Sequence, residues 1–168
     1  MTMLIILGGL PGVGKTTIAR ELARQLGAVH IRIDSIEQAI RESGVVAVSL
    51  DDAGYRAGYA IARDNLGLGH RVIADCVNPL PVTREAWRTV AADTASRIVE
   101  VEIVCSDIAE HRRRVEQRSV DVPGLVPPTW ASVQRHDYAP WTTQRLVIDT
   151  ATLSAREAAQ SILSHVRD

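Results

Sequence analysis

The chain has 168 residues, 46% apolar and 23% charged, with a formal net charge of -1. These are the proportions of a folded globular chain, which excludes wholesale disorder, and the length fits one domain over 1–168. Near-neutrality gives no overall attraction for nucleic acid or anionic membrane, although a local basic patch stays open.

The first predicted strand, MLIIL at 3–7, is apolar but short and runs straight into glycines. It fits neither a membrane span nor a secretion signal, so a cytoplasmic location is expected. GGLPGVGKTTIAR follows at 8–20, where four glycines and a proline precede a helix expected over 15–26. Gly9, four intervening residues, Gly14, Lys15 and Thr16 form the phosphate-loop pattern, in its proper strand-loop-helix setting. Glycine permits positive φ and a close backbone approach, so successive N–H groups can turn inward on phosphates, and the first helical turn adds its unpaired donors. Gly9, Gly12, Val13, Gly14, Lys15, Thr16 and Thr17 are therefore the expected nucleotide-binding residues. Lys15 would neutralise the β and γ phosphates, and Thr16 would offer a hydroxyl to Mg²⁺. Lys15 is also the only lysine, every other basic residue except histidine being arginine. A lone lysine excludes the NKxD signature of GTPases, and the chain is too short for a typical AAA+ module with its lid domain.

The second predicted strand, AVHIRI at 28–33, delivers Asp34 to its carboxyl end, where ligands bind in parallel sheets. Ser35 and Gln38 have capping-box spacing for a helix over 35–43, which would leave the Asp34 carboxylate free to accept the proton of an attacking hydroxyl. A helix over 52–67 carries Tyr55, Arg56 and Tyr59 and ends at Gly67 and Gly69. The third strand, RVIADCV at 71–77, places Asp75 after apolar residues as in a Walker B segment, a second candidate for Mg²⁺. Asn78 follows, either touching substrate or forming a turn with Pro79. A helix over 83–95 carries Arg84 and Trp87. Packing accounts for the aromatics, whereas Arg56 or Arg84 could meet an anionic substrate group.

The fourth strand, RIVEVEIVC at 97–105, leads to a helix over 107–119 begun by Asp107 and Glu110. Cys76 and Cys105 lie in apolar β-type runs and read as reduced core thiols. Arg114 and Arg118, one turn apart, could clamp a transferring phosphoryl group or belong to a solvated face. VDVPGLVPPTW at 120–130 cannot continue a helix, and a lid is expected over about 115–130. RLVID at 145–149 is a fifth short strand, and a helix over 154–166 opens with Ser154 and Glu157. Strands alternating with helices make an α/β chain with a parallel sheet covered on both faces.

GLPGVGKTT, the IDS after the second strand, VIADCVNP followed by TREAWR, the Arg114–Arg118 spacing and LVIDT together resemble the P-loop kinase group that includes chloramphenicol phosphotransferase, zeta toxins, gluconate kinases and polynucleotide 5′-hydroxyl kinases. The resemblance implies a P-loop NTPase fold with a five-stranded parallel sheet in the order 2-3-1-4-5, Asp34 as general base, and lid arginines on phosphates. The implied activity is ATP- and Mg²⁺-dependent transfer of the γ-phosphoryl to a hydroxyl of a small molecule. The alternatives are a nucleic-acid 5′-hydroxyl kinase, against which the near-neutral charge weighs, and a nucleotide-binding switch or toxin-like interaction protein with only slow ATP hydrolysis. Neither the acceptor nor the oligomeric state is encoded in a motif.

Overall fold

The computed structural model describes residues 2–44, 50 and 52–167. Five parallel strands, β1 (Met3–Gly8), β2 (Val29–Arg32), β3 (Arg71–Asp75), β4 (Arg97–Val104) and β5 (Leu146–Asp149), form one sheet in the order β2-β3-β1-β4-β5. The predicted order is therefore the observed one. β1 is central, with Leu7 level with Asp75 on one side and with Val101 on the other. All six of its residues are buried, as a strand covered on both faces requires.

Because side chains alternate along a strand, β1 feeds two cores. Ile5 and Leu7 pack with Ile18 and Leu22 of α1 (Lys15–Leu26) and with Ile162 of α7 (Ala155–Arg167). Leu4 and Ile6 face the opposite way. They pack with Ile33 of α2 (Ile33–Glu42), Ala62 and Leu66 of α3 (Ala53–Gly67) and Trp87 of α4 (Pro81–Asp93). Each such buried aliphatic side chain contributes about 1.5–3 kcal/mol, so the strand that precedes the phosphate loop is held from both faces.

Two boundaries differ from expectation for identifiable reasons. α4 starts at Pro81, because proline at the first helical position sacrifices no needed N–H and already has a helical φ. α2 starts at Ile33, with Arg32 as its N-cap and no side-chain cap. Ser35 is thus inside the helix and does not cap it, while Gln38 donates to Glu42 Oε1 at 3.0 Å. The other two caps form. Asp107 Oδ1 accepts from Glu110 N at 3.0 Å, and Ser154 and Glu157 exchange backbone-to-side-chain bonds in both directions.

α5 (Ile108–Glu116) ends before Arg118, and residues 117–129 run without regular structure into a short unpredicted helix, α6 (Trp130–Gln134), capped by the Thr129 hydroxyl. Among the described residues no helix is long and apolar enough to cross a membrane.

Candidate active site

The phosphate loop turns between β1 and α1 with φ of +146° at Gly9, +85° at Gly12 and +103° at Gly14, a region that favours glycine. A Cβ on Gly12 would stand 2.5 Å from Val115 Cγ2 of α5. The loop is also held from outside. Gly9 N donates to Val77 O at 3.0 Å, the His111 ring is 2.8 Å from Pro11 O through Nε2, and the Thr150 hydroxyl donates to Val13 O at 2.8 Å. Val13 itself is buried. His111 belongs to no local motif, and Thr150 closes the LVIDT stretch without that stretch indicating a contact to the loop.

A cleft of about 1020 Å³ opens beside this loop, at the carboxyl ends of the strands, and Gly12, Gly14, Lys15, Thr16 and Thr17 line it. The Lys15 ammonium donates to Leu10 O at 2.9 Å. Burial lowers its pKa below the usual lysine value, an effect that Asp75 and Asp34 partly offset. Asp75 is almost fully buried, 3.3 Å from His30 Nε2. Burial alone would raise its pKa, but the His30 hydrogen bond, the Lys15 charge and the Thr16 hydroxyl outweigh it, and the carboxyl is held below its ordinary range. An ionised carboxylate beside a threonine hydroxyl suits Mg²⁺, which binds through few protein oxygens and completes its shell with water and phosphate. Among the described residues no group of three or more His, Cys, Asp or Glu comes together as a metal cage.

Asp34 lies in the first turn of α2 and lines the same cleft. Its Oδ2 is 3.9 Å from Arg32 Nη2 and 3.9 Å from Arg118 Nη2, so the carboxylate sits between two guanidinium groups. Arg118 reaches it from the loop after α5, not from the helical face the spacing suggested. Arg114 also lines the cleft, but its guanidinium is engaged by Glu110 Oε1 at 2.7 Å, Thr150 Oγ1 at 2.8 Å and Thr150 O at 3.0 Å. The solvated-face reading holds for its neighbours: Arg113 pairs with Glu110 and Arg112 with Glu116. His136, which sequence reading also passed over, lines the cleft after α6, and burial together with Lys15 lowers its pKa.

Three candidate substrate residues lie elsewhere. Arg84 is buried, and its guanidinium serves the carbonyls of Asn78, Pro79, Ala139 and Pro140 at 2.7–3.1 Å while stacking 4.1 Å from the Trp141 ring. It is a structural brace, because a cation withdrawn from water needs its donors satisfied locally. Asn78 is fully buried at a φ of +51°, a conformation asparagine tolerates, and it does not line the cleft. Arg56 projects from α3 with 77% of its side chain exposed and pairs with Asp52, and it does not line the cleft.

Residues 4–128 match the family described as AAA domain, AAA_33, and the chain belongs to that family. An "Uncharacterized protein" of Mycobacterium tuberculosis is 38% identical over 109 residues, 58% of this chain but only 22% of that protein, so the chain spans a minor part of its relative's length. A Pyrococcus furiosus protein named "Putative adenylate kinase" is 33% identical over 143 residues, 74% of this chain and 78% of its own. Among solved structures, the APS kinase CysC of Mycobacterium tuberculosis, in complex with AMPPNP and APS, superimposes with a TM-score of 0.76 at 20% identity, over 99% of this chain and 98% of that one. The fold is that of the P-loop kinases, as the motif resemblance implied. Family and fold together support nucleotide-dependent phosphotransfer.

Proposed function

We propose that this chain is a kinase that transfers the γ-phosphoryl of ATP to a hydroxyl of a small molecule. The observation that carries the reading is the placement of Asp34: a carboxylate flanked by Arg32 and Arg118, in the same cleft as Lys15 and the phosphate loop. A switch that merely bound nucleotide would have no use for such a group. In transfer, Asp34 orients the acceptor hydroxyl and takes its proton, while Lys15 and Arg118 offset the charge that develops on the transferring group. Arg114 acts more indirectly, holding Thr150 against the carbonyl of Val13. Asp75 and Thr16 would hold Mg²⁺, which supplies charge neutralisation on the phosphates when bound. Residues 117–129 serve as a lid over the cleft of the 1–168 unit, with Gly124 packed near Gln38 and Glu42 on the far wall.

The test is a panel of hydroxyl compounds incubated with ATP and Mg²⁺ and read by mass spectrometry for phosphorylated product. With the acceptor in hand, Asp34→Asn is expected to lower phosphoryl transfer by about a hundredfold or more while ATP affinity survives. Weakened ATP binding with unchanged acceptor affinity would move Asp34 to the Mg²⁺ site and leave the base unassigned.

A further inference from the structure

The acceptor side of the cleft contains a charge arrangement that phosphoryl transfer as described does not use. Arg32 stands at the carboxyl end of β2 with only 8% of its surface exposed, and its Nη1 donates to both oxygens of Asp121, at 2.9 and 3.0 Å. Arg20 of α1 grips the same carboxylate. Asp121 comes from the irregular 117–129 segment, more than eighty residues from either arginine, so three separate parts of the chain converge on one anion. All three residues line the cleft.

A structural staple is the plainer explanation, and two observations argue against it. First, Arg32 is a buried cation whose bidentate counterion belongs to a proline-interrupted loop and is itself 38% exposed. Removing one partner of a buried pair is far costlier than the pair's net worth, because the remaining charge is left in low dielectric. Any opening of the lid would therefore leave Arg32 without a direct hydrogen-bonded counterion, with Asp34 still 3.9 Å away, unless a second anion took the carboxylate's place. Second, Arg32 Nε is buried without a hydrogen-bond partner among the described residues. Asp121 engages one nitrogen with both oxygens and leaves part of the donor fork idle, so a carboxylate from the lid is an incomplete match.

We propose that Arg20 and Arg32 form an anion subsite for the acceptor, occupied in this conformation by Asp121 of the lid acting as an internal substitute. The acceptor accordingly carries an oxyanion, a carboxylate, sulfate or phosphate group, close to the hydroxyl that Asp34 receives. Proximity follows because a single guanidinium faces both positions: Arg32 holds Asp121 through Nη1 and stands 3.9 Å from Asp34 through Nη2. Entry of the substrate anion releases Asp121, which couples acceptor binding to lid movement. The inference depends on the kinase reading only for the role of Asp34.

The experiment measures inorganic sulfate binding by calorimetry, with a nonhydrolysable ATP analogue and Mg²⁺ filling the phosphate loop and chloride matching the ionic strength. Asp121→Asn is expected to bind sulfate about tenfold more tightly than the wild type, since a competing charge-assisted contact is gone. Adding Arg20→Gln should cancel that gain. Unchanged affinity in Asp121→Asn, or retained affinity in the double variant, would overturn the subsite. Should Asp121→Asn fail to fold, Arg20→Gln alone leaves the Arg32–Asp121 pair in place and should still weaken sulfate binding relative to the wild type; equal affinity would overturn the proposal there too. With turnover as readout, anionic acceptors should exceed neutral ones of equal size in kcat/KM, and Arg20→Gln should narrow the gap. Failure of the ATP analogue to bind would instead count against the kinase reading, and the subsite would still be tested by the difference in sulfate affinity between variants, which share the same loop.

Discussion

The two walls of the cleft are built by different physics. On the nucleotide side, the phosphate loop is anchored by hydrogen bonds and packing: Val77 receives Gly9 N, Thr150 caps Val13 O, His111 meets Pro11 O, and two apolar cores hold β1 beneath it. On the acceptor side, position is set by charge, with Arg20, Arg32 and Arg118 gathered around Asp34 and Asp121. Packed and hydrogen-bonded walls keep their shape across salt and pH, whereas partly exposed ion pairs are screened and titrate. The first wall is suited to a ligand that never changes, and the second to one whose arrival must move something.

The contrast can be broken most forcefully at Lys15. Lys15→Ala is expected to reduce phosphoryl transfer by about a thousandfold, the scale of losing a fixed positive donor at the developing charge. The fold should persist, because α1 is held by Ile18, Ala19 and Leu22 in the core. Near wild-type turnover in this variant would remove the phosphate-loop assignment altogether.

A smaller effect sharpens the account of the nucleotide wall. The Thr150 hydroxyl donates to Val13 O, with Val104 O as an alternative acceptor at 3.1 Å, and accepts from Arg114 Nη1. Thr150→Val keeps the shape but leaves those groups unpaired, so urea denaturation should show a loss of about 1–3 kcal/mol. Nucleotide affinity should fall with it, as Val13 lies within the loop. A variant as stable as the wild type would mean that the loop is held without this tie.

The smallest expected effect belongs to the acceptor wall and appears as a pH dependence. The Arg20 hydrogen bond is the main reason the Asp121 carboxyl is held down to about 2 against an ordinary 3.8; partial burial opposes it and Arg32 reinforces it. A depressed carboxyl pKa contributes stability that is fully present above the unfolded value and is lost as pH falls through the folded one. The stability gap between the wild type and Asp121→Asn should therefore be constant from neutrality to about pH 4 and close as pH approaches 2. A gap that stayed level through that window would dissociate Asp121 from the arginines.

Legibility in the sequence follows the same division. The phosphate loop and the convergence of Lys15, Thr16, Asp34 and Asp75 on one cleft could be anticipated because local spacing encodes them, a glycine pattern between strand and helix and carboxylates at strand ends, whereas the strand order followed from the resemblance to the P-loop kinases. The acceptor wall could not be read this way. Arg32 alternates with isoleucines in HIRI and looks like one polar position of a strand, while its partner is 89 residues further on. Thr150 and Val13 are 137 apart. Arg84 misled in the opposite sense, because an arginine on a helix beside the site resembles a ligand contact until Trp141 and four carbonyls are seen around it. Ser35 failed as a cap because α2 begins at Ile33, two residues before it.

Lys15 combines solitude with concealment: it is the chain's single lysine, it is buried, and its pKa lies below the usual value. Acylating reagents therefore have one side-chain amine to find, and it stands inside the cleft, with a larger fraction in the nucleophilic neutral form than a surface lysine would have. Any modification that consumes that amine, chemical or enzymatic, acts on the phosphate loop directly. Protection of the amine by a bound nucleotide would then read out occupancy with no background from the rest of the surface side chains.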